Sequence, residues 1–161
     1  MVSSAQPIQQ IDHPNLQKLI DSLLETAKAK DGVGIAAPQV SESYRLFIVA
    51  SRPNPRYPDA PMMGPTAMIN PRIVAHSTEK AKGWEGCLSV PGLRGLVPRY
   101  RSIEVEYCDR NGYLQQQTLT NFVARIFQHE LDHLNGILFI DRIEQDDDLI
   151  SEADYQTLIQ S

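Results

Sequence analysis

The sequence predicts one domain of mixed α and β structure. Three observations predict it: an amphipathic helix pattern beginning at Pro14, a series of short strand patterns between turn signals, and a second helix pattern around residues 121–135. At 161 residues the chain can bury one sizeable core and is too short for two comfortable ones, so residues 1–161 are read as a single domain. No apolar run reaches the length of a membrane span.

Residues 1–11 are polar and unpatterned, which predicts a loose arm. Leu16, Leu19, Ile20, Leu23, Leu24 and Ala27 then recur at helical spacing, with Asp12 or His13 as cap and Pro14 in the first turn. That helix should end near Lys30. Gly32-Val33-Gly34-Ile35-Ala36-Ala37-Pro38-Gln39 follows, and two glycines among small residues mean that backbone approaches something closely. A dinucleotide loop does not fit: a helix precedes the glycines, no third glycine arrives in register, and Pro38 breaks the helix that should follow. On this segment alone, Gln39 reads as an exposed turn residue.

Arg45–Ala50 has the length and branching of a buried strand. Prolines at 53, 55, 58, 61 and 65 predict an irregular loop, and Thr66–Val74 a second strand broken at Pro71. His76 falls in a polar turn. In Trp84-Glu85-Gly86-Cys87-Leu88-Ser89-Val90-Pro91 the cysteine sits between a glycine and a strand stopped by proline. Alone, Cys87 reads equally as a buried small hydrophobe or as a ligand. Ile103, Val105 and Tyr107 alternate with Glu104 and Glu106; Asp109-Arg110-Asn111-Gly112 is a hairpin turn; Tyr113–Leu119 is the returning strand, and Cys108 reads as core. Beyond the second helix, Ile137–Ile140 predicts a short apolar strand. Residues 146–161 form an acidic, helical tail, with Asp146-Asp147-Asp148 at the positive end of its dipole.

The chemistry concentrates in His129-Glu130-Leu131-Asp132-His133. Four residues apart on a helix, His129 and His133 share a face and can reach one metal ion, while Glu130 leans aside, where it can reach a water. Phe122, Ile126, His129 and His133 form one stripe; Thr120 or Asn121 could cap its start, and Gly136 suits its end. A catalytic metal wants three protein ligands and an open position. His13 and His76 lie in polar turns and no acid has an apolar, glycine-flanked frame, whereas Cys87 does. One thiolate and two imidazoles favour zinc or ferrous iron over hard ions.

Three segments together resemble peptide deformylase. Gly32-Val33-Gly34-Ile35-Ala36-Ala37-Pro38-Gln39, Glu85-Gly86-Cys87-Leu88-Ser89 and Gln128-His129-Glu130-Leu131-Asp132-His133-Leu134 are similar to its three motifs, unbroken and in order. The resemblance covers about Pro14 to Arg142 and fades at both ends. It implies an α+β fold with mostly antiparallel sheets surrounding a central helix that bears the His-Glu-x-x-His. It implies a hydrolase that removes the formyl group from N-terminal formylmethionine of nascent polypeptides, releasing formate. The implied cofactor is one divalent metal ion, Fe2+ foremost, with Zn2+, Ni2+ or Co2+ able to substitute, held by Cys87, His129 and His133.

The resemblance further makes Glu130 the general base and then acid, and the Gln39 amide and Leu88 backbone N–H the oxyanion donors. Gly34 would offer backbone to the peptide and Arg94 would face it. Val33, Phe122 and Ile126 are candidates for the methionine pocket wall, although Phe122 and Ile126 read equally as core. Asp132 would pair with Arg99. Arg125, one turn before His129, shapes the pocket rim or pairs with an acid. Trp84 departs from the polar residue many relatives carry. Two other readings share these residues: a zinc peptidase, and an inactive fold that binds N-terminal peptides.

The net charge of −5 argues against a broad nucleic-acid-binding face. The expected partner is an N-formylmethionyl peptide, with a ribosome-associated nascent chain as its source and no membrane. Two cysteines and no secretory pattern predict a cytoplasmic protein, or an organellar mature form that has lost its transit peptide.

Overall fold

A computed structural model describes residues 4–30, 32–54, 57–87 and 89–160. Among the described residues, three α-helices, α1 (Pro14–Ala29), α2 (Asn121–Leu134) and α3 (Glu152–Gln160), pack with eight strands. These are β1 (Gly34–Ala36), β2 (Leu46–Ser51), β3 (Met63–His76), β4 (Lys80–Cys87), β5 (Val90–Tyr100), β6 (Ser102–Cys108), β7 (Leu114–Thr120) and β8 (Leu149–Ser151). One sheet has the order β1-β2-β3-β6-β7 and the other β4-β5-β8, with every pairing between these strands antiparallel. The fold is α+β. Among the described residues, no helix is long and apolar enough to cross a membrane.

The five-stranded sheet is covered on both faces, which explains why β2 reads as a continuous apolar run. Leu46 and Ile48 point to α1, where they meet Leu16, Ile20 and Leu23. Phe47 and Val49 point the other way, into a core shared with Ala124, Ile126 and Phe127 of α2. Phe47 and Phe127 meet edge to face at 5.1 Å. The helix α2 also reaches the smaller sheet. Gln128 donates to the carbonyl of Tyr100 and accepts from its N–H, both at 3.0 Å, as a strand neighbour would.

Several sequence expectations need correction. The arm is not loose where it is described: Ala5 is buried in the α2 core and donates to Leu134 O, and Asn70 brackets Ile8 with two hydrogen bonds. Residues 1–3 lie outside the described residues. The Ile137–Ile140 segment is not a strand. Gly136 turns the chain at φ +77°, and Phe139–Arg142 forms a 3-10 turn whose Asp141 carboxylate accepts from Leu138 N–H. Asp146–Asp148 is a separate 3-10 turn, with β8 between it and α3.

Strand β3 continues through Pro71 with a register shift, and His76 ends it, stacked on Tyr100. Thr120 makes no side-chain cap bond to α2. The β4–β5 hairpin was largely hidden, because glycines and prolines interrupt its pattern. Pro91 and Pro98 fall outside Leu93–Gly95, the stretch of β5 that pairs with β8, so they sit where β5 lacks a second partner strand.

Candidate active site

The end of β4 and the second half of α2 meet at one point. Cys87 Sγ and one ring nitrogen each of His129 and His133 all lie within 4.8 Å of one another, and all three residues are buried. Cys87 Sγ is 3.1 Å from His133 Nε2. Ligands of a tetrahedral ion bonded at ~2.0–2.3 Å stand about 3.3–3.8 Å apart, so one thiolate and two imidazoles at this spacing fit a divalent transition metal. The histidines face each other at i and i+4 on α2, as their spacing predicts.

Burial alone would push the Cys87 thiol up. Hydrogen bonds with His129 and His133 outweigh it and bring the thiol down to about 5, which favours the thiolate form that a metal ligand needs. Burial pulls His129 down, but Cys87 and Glu85 raise it to about 10 when no metal competes. To bind a metal the ring must give up that proton, so metal binding here releases protons.

Glu85 fixes the ring. Its Oε1 is 2.8 Å from His129 Nδ1, which leaves Nε2 for a ligand role. Arg99 grips both oxygens of Glu85 at 2.9 Å, and Arg125 adds a contact at 2.7 Å. Arg99 also donates to Asp132 at 2.6 Å, so one buried guanidinium ties β4 to α2. Burial opposes the charge on Glu85, yet the bonds from His129 and Arg99 hold its carboxyl far below the usual range. Arg125 pairs with an acid and also donates to the carbonyls of Ala81 and Val97. The sequence reading gave Glu85 no role. The signal was there: Glu85 and Cys87 lie two apart on one face of a strand, and Arg125 on an apolar stripe needed an acid.

Glu130 is buried, and its Oε1 has no hydrogen-bond partner among the described residues. Burial raises its carboxyl pKa, and only the neighbouring histidines oppose that. Gly34 lies directly against it: a Cβ there would stand 2.6 Å from Glu130 Oε2 and 3.0 Å from Ile126 Cγ2. Gln39 turns inward from the 3-10 turn Ala37–Val40. Its Oε1 accepts from Ala36 N–H at 2.8 Å, and its Nε2 points to Ser89 Oγ at 3.1 Å and Cys87 Sγ at 3.6 Å. It is not a free turn residue.

A cleft opens beside these groups. Val33, Gly34, Gln39, Phe122, Ile126, Glu130 and Tyr57 are among its lining residues. Ile126 serves the core and the cleft at once. Tyr57, which the sequence reading passed over in the proline-rich loop, packs on Phe122 at 4.9 Å. Leu88 lies outside the described residues. Arg94 does not face the cleft: it is 1% exposed, lies behind Gly86 and pairs with Glu152 at 2.6 Å.

A family model described as polypeptide deformylase matches residues 1–148. The chain belongs to the polypeptide deformylase family. It is 66% identical over 152 residues to peptide deformylase 2 of a Nostoc strain, covering 94% of this chain and 85% of the relative. It is 51% identical to peptide deformylase 2 of Shewanella oneidensis, over 79% of this chain and 70% of that one. Among solved structures, the class I type b peptide deformylase of Acinetobacter baumannii with Met-Ala-Ser bound superposes with a TM-score of 0.85 at 49% identity, over 88% of this chain and 90% of that one. Peptide deformylases are metal-dependent hydrolases that remove the N-formyl group from nascent polypeptides, and this chain is one of them. The general peptidase reading falls with that assignment.

Proposed function

We propose that this deformylase, acting as a single domain over residues 1–161, uses Glu130 for both proton transfers in formamide hydrolysis. The observation that carries this reading is Glu130 itself: a buried carboxyl with an unpartnered oxygen, next to the Cys87, His129 and His133 cluster and against the bare Cα of Gly34. Those three residues would hold the metal, Fe2+ foremost with Zn2+, Ni2+ or Co2+ as substitutes. When bound there, the ion supplies Lewis acidity that polarises the formyl carbonyl and makes water acidic enough to attack near neutral pH.

Glu130 takes the proton of the attacking water and passes it to the leaving amine. Its raised pKa suits both roles, since a stronger base accepts more readily and still donates to an amine. Gln39 and the Leu88 N–H donate to the oxyanion. The Gln39 amide is already oriented, because Ala36 N–H holds its oxygen and leaves its nitrogen toward the cysteine. Gly34 presents backbone to the formylmethionyl peptide, while Val33, Phe122 and Ile126 wall its methionine side chain. Arg94 would serve the peptide only from behind Gly86. The free thiols of Cys87 and Cys108 fit a reducing cytoplasm, where ribosome-associated nascent chains would be the substrate and neither nucleic acid nor membrane is bound directly.

The test is formate release from formyl-Met-Ala-Ser by protein loaded anaerobically with iron or nickel, beside Glu130→Gln. Wild-type turnover should fall by about 10²–10⁴-fold in the variant while the metal stays bound. Turnover that survives the substitution would remove Glu130 from the mechanism. Peptide binding without formate release by the metallated wild type would favour an inactive binder.

A further inference from the structure

We propose that the C-terminal strand and helix, Leu149–Gln160, position the cleft wall through a stacked column of Tyr155, Arg94 and Tyr57. The family match stops at residue 148, so this segment lies beyond it. Strand β8 pairs with β5 at Leu93–Gly95, placing Ile150 opposite Arg94. Helix α3 then brings Glu152 and Tyr155 onto the buried guanidinium. Glu152 accepts from Arg94 Nε at 2.6 Å and from Nη2 at 3.4 Å. Arg94 Cζ lies 4.4 Å from the Tyr155 ring centroid and 5.0 Å from that of Tyr57. One cation is thus shared by two aromatic rings, one from the tail and one from the cleft wall.

Tyr57 carries the effect to the site. Its hydroxyl accepts from Gly86 N–H at 3.2 Å, one residue before Cys87, and its ring packs on Phe122. Arg94 also seats Gly86 directly, since a Cβ there would lie 2.9 Å from Arg94 Cδ and Nε. Glu152 and Tyr155 are therefore positioning residues: neither is among the residues that line the cleft, and they fix Arg94, which fixes Tyr57 and the Gly86 backbone. This rests on the cleft being the peptide site. What it adds is that peptide affinity depends on a segment beyond the residues that the family model matches.

The experiment compares full-length, zinc-loaded wild type with Tyr155→Ala, Tyr155→Phe, Glu152→Gln and Tyr57→Phe. It reads amide exchange at Gly86 by NMR, KM and kcat for formyl-Met-Ala-Ser, and Tm. Tyr155→Ala should speed Gly86 exchange by about tenfold. It should raise KM about three- to tenfold with kcat within about twofold. Tyr155→Phe, which keeps the ring, should restore both values, and Tyr57→Phe should reproduce the exchange change. If Tyr155→Ala does not fold, Glu152→Gln decides on the same readouts, with changes in the same direction. A lower Tm with unchanged Gly86 exchange and KM would reduce the tail to a brace and overturn the proposal. So would Tyr155→Phe behaving as Tyr155→Ala. Should the wild type release no formate, the exchange measurement still decides the column, and only the reading of the site falls.

Discussion

At the scale of single residues, the site is set as much by what is missing as by what is present. Gly34 leaves room for the Glu130 carboxylate, and a methyl group would occupy that space at 2.6 Å from Oε2. Gly34→Ala should therefore displace the carboxylate without disturbing the Cys87, His129 and His133 set. The expected result is a fall in kcat/KM of about 10²-fold, the cost of an ångström-scale misplacement, with metal content unchanged. Equal turnover per bound metal would show that Glu130 has slack. His129, His133 and Glu130 were legible in sequence because helical spacing is rigid and the motif needs few residues, whereas Cys87, on β4, was singled out only by its glycine-flanked apolar frame and by the resemblance. Gln39 was legible only through the resemblance: in its own segment it looks like a turn residue, and the contact to Cys87 spans 48 residues of chain.

At the scale of elements, the link that matters is between β4 and α2, which carry the cysteine and the histidines separately. Arg99 is buried and holds Glu85 on β4 and Asp132 on α2, so it sets the distance between the two halves of the site. Removing one partner of such a cluster strands buried charge at a cost of about 3–5 kcal/mol. Arg99→Ala should lower Tm by roughly 6–20 °C, given ~2–4 °C per kcal/mol at this size. Metal retention should fall with it, and KM of the remaining active enzyme should change little. An unchanged Tm and metal content would show that the pair is incidental. Helix α1, strands β2, β6 and β7 and the Asp109–Gly112 turn were readable, because their apolar periodicity and turn residues are local signals. The β4–β5 hairpin was not. Its strands carry Gly83, Gly86, Pro91, Gly92, Gly95 and Pro98, each there to admit a neighbour's side chain, to turn, or to sit on an unpaired edge.

At the scale of the whole molecule, the margins of both sheets meet α2 at a site whose buried side chains suit a cation. A ligand bound only by the folded state stabilises it, by about 2.7 kcal/mol at a hundred times its dissociation constant. Chelation should therefore lower Tm by roughly 5–10 °C, and nickel or zinc should restore it. A Tm indifferent to chelator would mean that the three ligands hold no ion in the folded protein. The N-terminal residues escaped the sequence reading for a related reason. Ala5 is a single small residue whose burial depends on Leu134, and no periodicity announces that. One feature of the larger sheet bears on the enzyme's task. Strand β1 lies at its margin, with β2 on one side and the cleft beside it, so its outward N–H and C=O groups are offered to whatever enters. Main-chain groups are the same in every polypeptide. An enzyme that gripped its substrate there would be blind to most of the proteome's differences, as a processor of every newborn chain must be.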